Sequence, residues 1–204
     1  MPGRKRNVRV PSVRRPFRGT AAMTLFTIGH STRSIDHFLA LLARERIAHL
    51  ADVRTIPASR RYPHFNREAL AASLEGAGVG YSHHPALGGR RSPRADSPNT
   101  AWRNSGFRGY ADHMQTEEFK GGLARLLAMT AQTRLTVMCA EAVPWRCHRS
   151  LLADAAVARG VEVRHILDAS TSPHRLTSFA LIGEHGGILY PAADADSDGT
   201  LPLL

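Results

Sequence analysis

Short apolar runs alternating with helix-length amphipathic stretches predict a three-layer α/β fold with a mainly parallel sheet, strands alternating with helices, and a short C-terminal hairpin. Two observations carry this. The strand–helix–strand alternation recurs from Leu25 to Leu167, and within one sheet such an order calls for right-handed crossovers. The polar residues best suited to chemistry gather where the strands end, which is where sheets of this kind bind ligands.

Taken in order, Leu25-Phe26-Thr27-Ile28 is short, apolar and partly β-branched, and it stops at Gly29-His30-Ser31-Thr32. Ser34 can cap a helix whose Ile35, Phe38, Leu39, Leu42 and Ile47 form one apolar stripe. Leu50 to Arg54 makes a second strand, ended by Pro57. Beyond a polar, aromatic loop from Arg60 to Phe65, Asn66 can cap a helix with Ala69, Leu70, Leu74 and Ala77 inward and Gly78 as its stop. Gly80 to His84 reads as a third strand. Residues 85–109, rich in Gly, Pro, Arg, Ser and Asn, read as a long functional or disordered loop. Thr116 precedes a helix carrying Phe119, Leu123, Leu126 and Leu127, and Leu135 to Cys139 is the clearest strand. A helix from about Cys147 to Arg159, with Leu151, Leu152, Ala155 and Ala156 inward, leads to a last strand over Val161 to Leu167. A hairpin is expected around Gly186-Gly187.

The net charge of +10 suggests a nucleic-acid partner, but its distribution argues otherwise. Seven of the 27 lysines and arginines lie in residues 1–22, which hold no acid, leaving 20 basic against 17 acidic residues. Residues 1–22 are therefore expected to be a disordered basic extension, 23–191 a single α/β domain, and 192–204 a loose tail. The extension has no uninterrupted apolar run of the secretory kind, and no stretch is long and apolar enough to cross a membrane. Two cysteines are too few for a disulfide framework, so a reducing cytoplasm is the expected setting.

Candidate site residues follow from the strand ends. His30 and Ser31 follow the first strand, and Asp52 and Arg54 close the second. Cys139 and Glu141 end the fourth, and Cys147, His148 and Arg149 open the next helix. Arg54, Arg146 and Arg149 offer guanidinium forks suited to phosphate or carboxylate, and the glycines of Leu87-Gly88-Gly89-Arg90-Arg91 add an anion nest. Alternatively, Asp52 pairs with an arginine and pins strand to helix. Cys147, near a helix start beside His148 and Arg149, has the surroundings that favour a thiolate nucleophile. Cys139 reads as a small buried residue. Six residues separate it from Arg146 where a tyrosine-phosphatase loop needs five, which excludes that assignment. Glu141 and His148 are candidate proton carriers. Zinc accepts Cys139, Cys147 and His148 as ligand types, yet there is no CxxC or His-x-x-x-His spacing, so no metal or other cofactor is expected. Trp102, Phe107, Tyr110 and Trp145 serve either to stack on a base or to cap the core.

Thr27-Ile28-Gly29-His30-Ser31, Asp52-Val53-Arg54, Phe107-Arg108-Gly109-Tyr110, Met138-Cys139-Ala140-Glu141 and Cys147-His148-Arg149 together resemble the DUF488 family of bacterial and archaeal proteins, from about Met23 to Pro191. The resemblance implies the fold and the location of the cleft. It implies no reaction, because the family brings no settled activity. Three functions remain in view: binding, with hydrolysis or transfer, of a phosphate-bearing ligand such as a nucleotide or nucleic-acid end; a non-catalytic nucleic-acid module using the basic arm and the loop from Arg90 to Arg108; and a thiol redox or zinc protein built on Cys139, Cys147 and His148.

Overall fold

The computed structural model describes residues 23–192. The expectations for the extension 1–22 and for the tail 193–204 fall outside these residues. Strands β1 (Thr24–Gly29), β2 (His49–Asp52), β3 (Gly80–His83), β4 (Leu135–Cys139), β5 (Glu162–Ile166) and β6 (Thr171–Pro173) form one sheet in the order β3-β2-β4-β1-β5-β6. The pairings from β3 to β5 are parallel, and β6 runs antiparallel at the edge. Strands β7 (Leu181–Ile182) and β8 (Ile188–Leu189) form the separate hairpin expected near Gly186.

Successive strand side chains alternate between the two faces, and each face has its own helices. On one, Phe26, Ile28, Leu50 and Met138 pack with Phe38, Leu41, Leu42, Leu70 and Leu74 from α1 (Ile35–Arg44) and α2 (Arg67–Gly76). On the other, Leu25, Ala51, Val53 and Val137 meet residues of α3 (Ser105–His113), α4 (Glu117–Thr130) and α5 (Arg149–Val157), among them Tyr110, Leu123, Leu126, Leu151 and Leu152. Ser34 and Thr116 cap α1 and α4 through their side chains, as their positions predict. Asn66 precedes α2 but spends its side-chain oxygen on the Ser59 N–H instead.

The structure departs from the expected elements at several points, the edge strand β6 among them. The stretch read as loop 85–109 ends in α3, capped by Asn104, whose side-chain oxygen accepts from the Gly106 and Phe107 N–H groups. Two glycines had masked this helix: Gly109 is needed because a Cβ there would overlap the Arg91 backbone. In α2, Leu70 and Leu74 are buried while Ala69 and Ala77 are exposed. The helix expected from Cys147 begins at Arg149, because a 3-10 turn (Pro144–Arg146) and an extended Cys147 precede it.

Candidate functional site

The carboxyl ends of β1, β2 and β4 open on a cavity of about 810 Å³, walled on its far side by the loop before α3. Beyond the strand ends the chains stay paired. The His30 N–H donates to the Cys139 carbonyl and the Ser31 N–H to the Ala140 carbonyl, each at 2.9 Å. Ser31 adopts a left-handed φ of 51°, a conformation that costs a non-glycine residue about 1 kcal/mol or more. Gly29 is required, since a Cβ would overlap the Glu141 carbonyl oxygen. His30 stacks on Phe65 at 4.3 Å, and burial, with a hydrogen bond to the Ser31 carbonyl opposing it, depresses its pKa to about 4. It is therefore neutral in the cavity wall.

The cavity floor holds the two thiols. Cys139 and Cys147 are both free cysteines, with Sγ atoms 2.6 Å apart. His148 Nδ1 lies 3.5 Å from the Cys147 sulfur, and the His148 ring fits against Gly89, where a Cβ would overlap it. Arg149 is 1% exposed, and every arm of its guanidinium is engaged. Nε donates to Cys139 Sγ at 3.0 Å, one terminal nitrogen to Thr27 Oγ1 at 3.4 Å, and the other to the Glu141 and Ala142 carbonyls at 2.5 and 3.3 Å. Burial pushes the Cys147 thiol up, but the hydrogen bonds from Cys139 and His148 and the electrostatic influence of His148 and Arg149 outweigh it. Cys147 is thus held well below the ordinary thiol range. Burial and the hydrogen bond to Cys147 push Cys139 far up, so of the pair Cys147 carries the negative charge.

The arginines divide into two groups. Arg54 lines the cavity, but its guanidinium is bound to Asp52 and to the Phe65 carbonyl, and Asp52 also accepts from the Tyr81 hydroxyl. The alternative in which Asp52 pins an arginine therefore describes this pair. Arg149 lies under the sulfurs rather than in the lining. Arg60, Arg90 and Arg146, in contrast, are exposed, line the cavity and have no carboxylate partner among the described residues. Glu141 is the acidic residue of the lining, and it is exposed. In the loop proposed to read nucleic acid, Arg91 pairs with Glu118 and Arg94 with Asp96, and Arg108 donates to the Trp102 carbonyl. Of the aromatic residues, Phe107 lines the cavity with Trp102 stacked behind it at 4.8 Å, Tyr110 is buried, and Trp145 is 64% exposed.

Arg60 and Asn104 belong to the lining and were not singled out from the sequence. Arg60 stood at the edge of the polar loop after Pro57, where two adjacent arginines ahead of an aromatic run were the available signal. Behind the floor a buried polar chain continues from Thr27 Oγ1 to His165 (2.7 Å), His174 (2.9 Å) and the Asp154 carboxylate (2.8 Å), which also accepts from the Tyr190 hydroxyl (2.9 Å). Through Thr27 this chain helps to fix Arg149.

Zinc was the metal to test. Cys139, Cys147 and His148 offer ligand atoms within 4.8 Å of one another. Two sulfurs bound to one tetrahedral zinc at ~2.3 Å would be roughly 3.8 Å apart. Here they are 2.6 Å apart, with a permanent guanidinium cation 3.0 Å from one of them. As placed, the sulfurs sit closer together than a shared zinc would hold them, and the buried guanidinium opposes a dication beside them.

The family model for the domain of unknown function DUF488 matches residues 34–156, more than half of the chain. The chain belongs to the DUF488 family. The matched region carries Asp52, Arg54, both cysteines and the Cys-His-Arg segment, so the cavity floor lies largely within the DUF488 domain. No curated protein and no solved structure matches the chain. Among the described residues no helix is long and apolar enough to cross a membrane.

Proposed function

We propose that this DUF488 protein binds a phosphate-bearing ligand, a nucleotide or a nucleic-acid end, in the cavity at the carboxyl ends of its strands. The observation that carries the reading is the convergence of Arg60, Arg90 and Arg146 on one cavity: among the described residues none of the three has a carboxylate partner, and Glu141 is the single acidic residue of the lining. Guanidinium forks of this kind bind phosphate oxygens bidentately, and an unpaired exposed set costs little to redirect onto a ligand. Arg54, held by Asp52, supplies fixed positive potential behind them. Phe107 offers an apolar wall to a base, and the neutral His30 ring stands in the same cavity wall. Ligand bound by the rim lies over Cys147, with Glu141 and His148 placed to carry protons.

Thermal-shift and calorimetric titrations with pyrophosphate, nucleoside mono- and diphosphates and short 5′-phosphorylated oligonucleotides test this. Stabilisation that rises with ligand concentration is expected by mass action. Arg60→Ala, Arg90→Ala and Arg146→Ala should each weaken binding by roughly ten- to a hundredfold, the worth of a charge-assisted hydrogen bond. No shift with any phosphate compound, or a shift indifferent to all three substitutions, refutes the reading. Deleting residues 1–22 should leave this binding unchanged, whereas a nucleic-acid module that relied on the basic arm would lose most of its affinity.

A further inference from the structure

We propose that Cys147 and Cys139 form a dithiol couple that reduces small, carboxylate-bearing disulfides entering the cavity, with Cys147 as the attacking thiol and Cys139 as the resolving thiol. The inference stands on the sulfurs and does not depend on phosphate binding.

The two cysteines come from different elements, the end of β4 and the extended residue before α5, yet their sulfurs meet at 2.6 Å. A disulfide bond is ~2.05 Å long, so bonding them requires a sub-ångström movement. Both belong to the cavity lining, at 2% and 4% exposure. A small molecule that enters the cavity reaches them, whereas a disulfide on the surface of another folded protein does not. Their surroundings are unlike those of packing cysteines, because a buried guanidinium is fixed 3.0 Å from one sulfur and an imidazole nitrogen 3.5 Å from the other. The unpaired arginines at the rim suit a disulfide whose ends carry carboxylates, and glutathione disulfide is a probe of that chemistry.

The chemistry balances as follows. The Cys147 thiolate attacks one sulfur of R–S–S–R′, the S–S bond breaks, and R′–S⁻ leaves and takes a proton from solvent. Cys147 is then neutral in the mixed disulfide, and the Arg149 cation beside Cys139 favours loss of the Cys139 proton. The Cys139 sulfur attacks Cys147 Sγ, the Cys139–Cys147 bond forms, and R–S⁻ departs with that proton. The substrate disulfide gains two electrons and becomes two thiols, and the protein dithiol is oxidised to the disulfide.

The test incubates the reduced full chain with glutathione disulfide, quenches with acid, and counts thiols and locates adducts by intact and peptide mass. The wild type should lose both free thiols, gain the Cys139–Cys147 bond and release two equivalents of glutathione. Cys139→Ser should stop with one glutathionyl group on Cys147, and Cys147→Ser should stay unmodified. Retention of both thiols in the wild type, which needs no variant, overturns the proposal. So does an adduct on Cys139 in the Cys147→Ser protein. Pyrophosphate titration of the reduced wild type separates the two readings: binding there with no thiol exchange would leave the anion site standing and this couple refuted.

Discussion

Replacing Arg149 by alanine removes a fully buried side chain that reaches four separate acceptors. Four acceptors lose their donor: Cys139 Sγ, Thr27 Oγ1 and the carbonyls of Glu141 and Ala142. A buried acceptor left without a partner costs ~1–3 kcal/mol, and the void left by the missing side chain adds to that. Thr27 retains His165 and Cys139 retains Cys147 as partners, so the loss falls chiefly on the two carbonyls. The sum is about 3–5 kcal/mol, in the range found when one member of a buried charged pair is deleted. For a chain of this size that lowers the melting temperature by about 6–20 °C. Urea unfolding followed by circular dichroism measures it, with Arg60→Ala, an exposed arginine, as a control expected to change stability by less than ~0.5 kcal/mol. A loss below ~1 kcal/mol in Arg149→Ala would show that the guanidinium does not hold the strand-end loops together.

Gly29→Ala should also destabilise, by about 1–3 kcal/mol in urea unfolding, because its Cβ would overlap the Glu141 carbonyl and crowd the Arg149 guanidinium. Acid should weaken the fold well before the carboxylates titrate. Burial depresses His30 to about 4 and His165 to about 3 against an ordinary 6.5, so stability is complete above pH 6.5 and is lost progressively as pH falls from there toward the folded-state values. At pH 5 that amounts to roughly 2 kcal/mol each, and His165→Asn should flatten the pH dependence of the urea midpoint between pH 7 and 5. Cys147 should react with iodoacetamide at pH 7 faster than an ordinary thiol, and the rate should fall only as pH drops through its depressed pKa. His148→Ala should move that midpoint upward, and an unmoved midpoint would remove His148 from the thiolate's support.

Much of the fold was legible because its central strands, β1, β2 and β4, are buried on both faces. β1 and β4 are apolar, partly β-branched runs, β5 alternates Val163 with charged neighbours, and the helices between them carry clear apolar stripes. Helix α3 was hidden by its glycines and polar start, and three-residue β6 is too short to carry a pattern. The location of the site was legible for the same reason as the sheet, since His30, Arg54, Glu141, Cys147 and His148 lie at parallel strand ends or just beyond them. Where each long side chain points was not. Arg54 and Arg149 looked like ligand-holding arginines, but Asp52 two residues before the one, and two carbonyls and a thiol around the other, engage them internally. Only three-dimensional placement distinguishes them from Arg60, Arg90 and Arg146. The sulfur pair was invisible for a similar reason: seven intervening residues do not reveal that a 3-10 turn folds Cys147 back onto the end of β4.

The anion site is tested most directly by locating a phosphate mimic. Crystals soaked in tungstate or pyrophosphate should show density in the cavity, within hydrogen-bonding distance of at least two of Arg60, Arg90 and Arg146 and above the Cys147 sulfur. A cavity without density under concentrations that saturate the solution titration, with the anion bound elsewhere on the surface, would contradict the account.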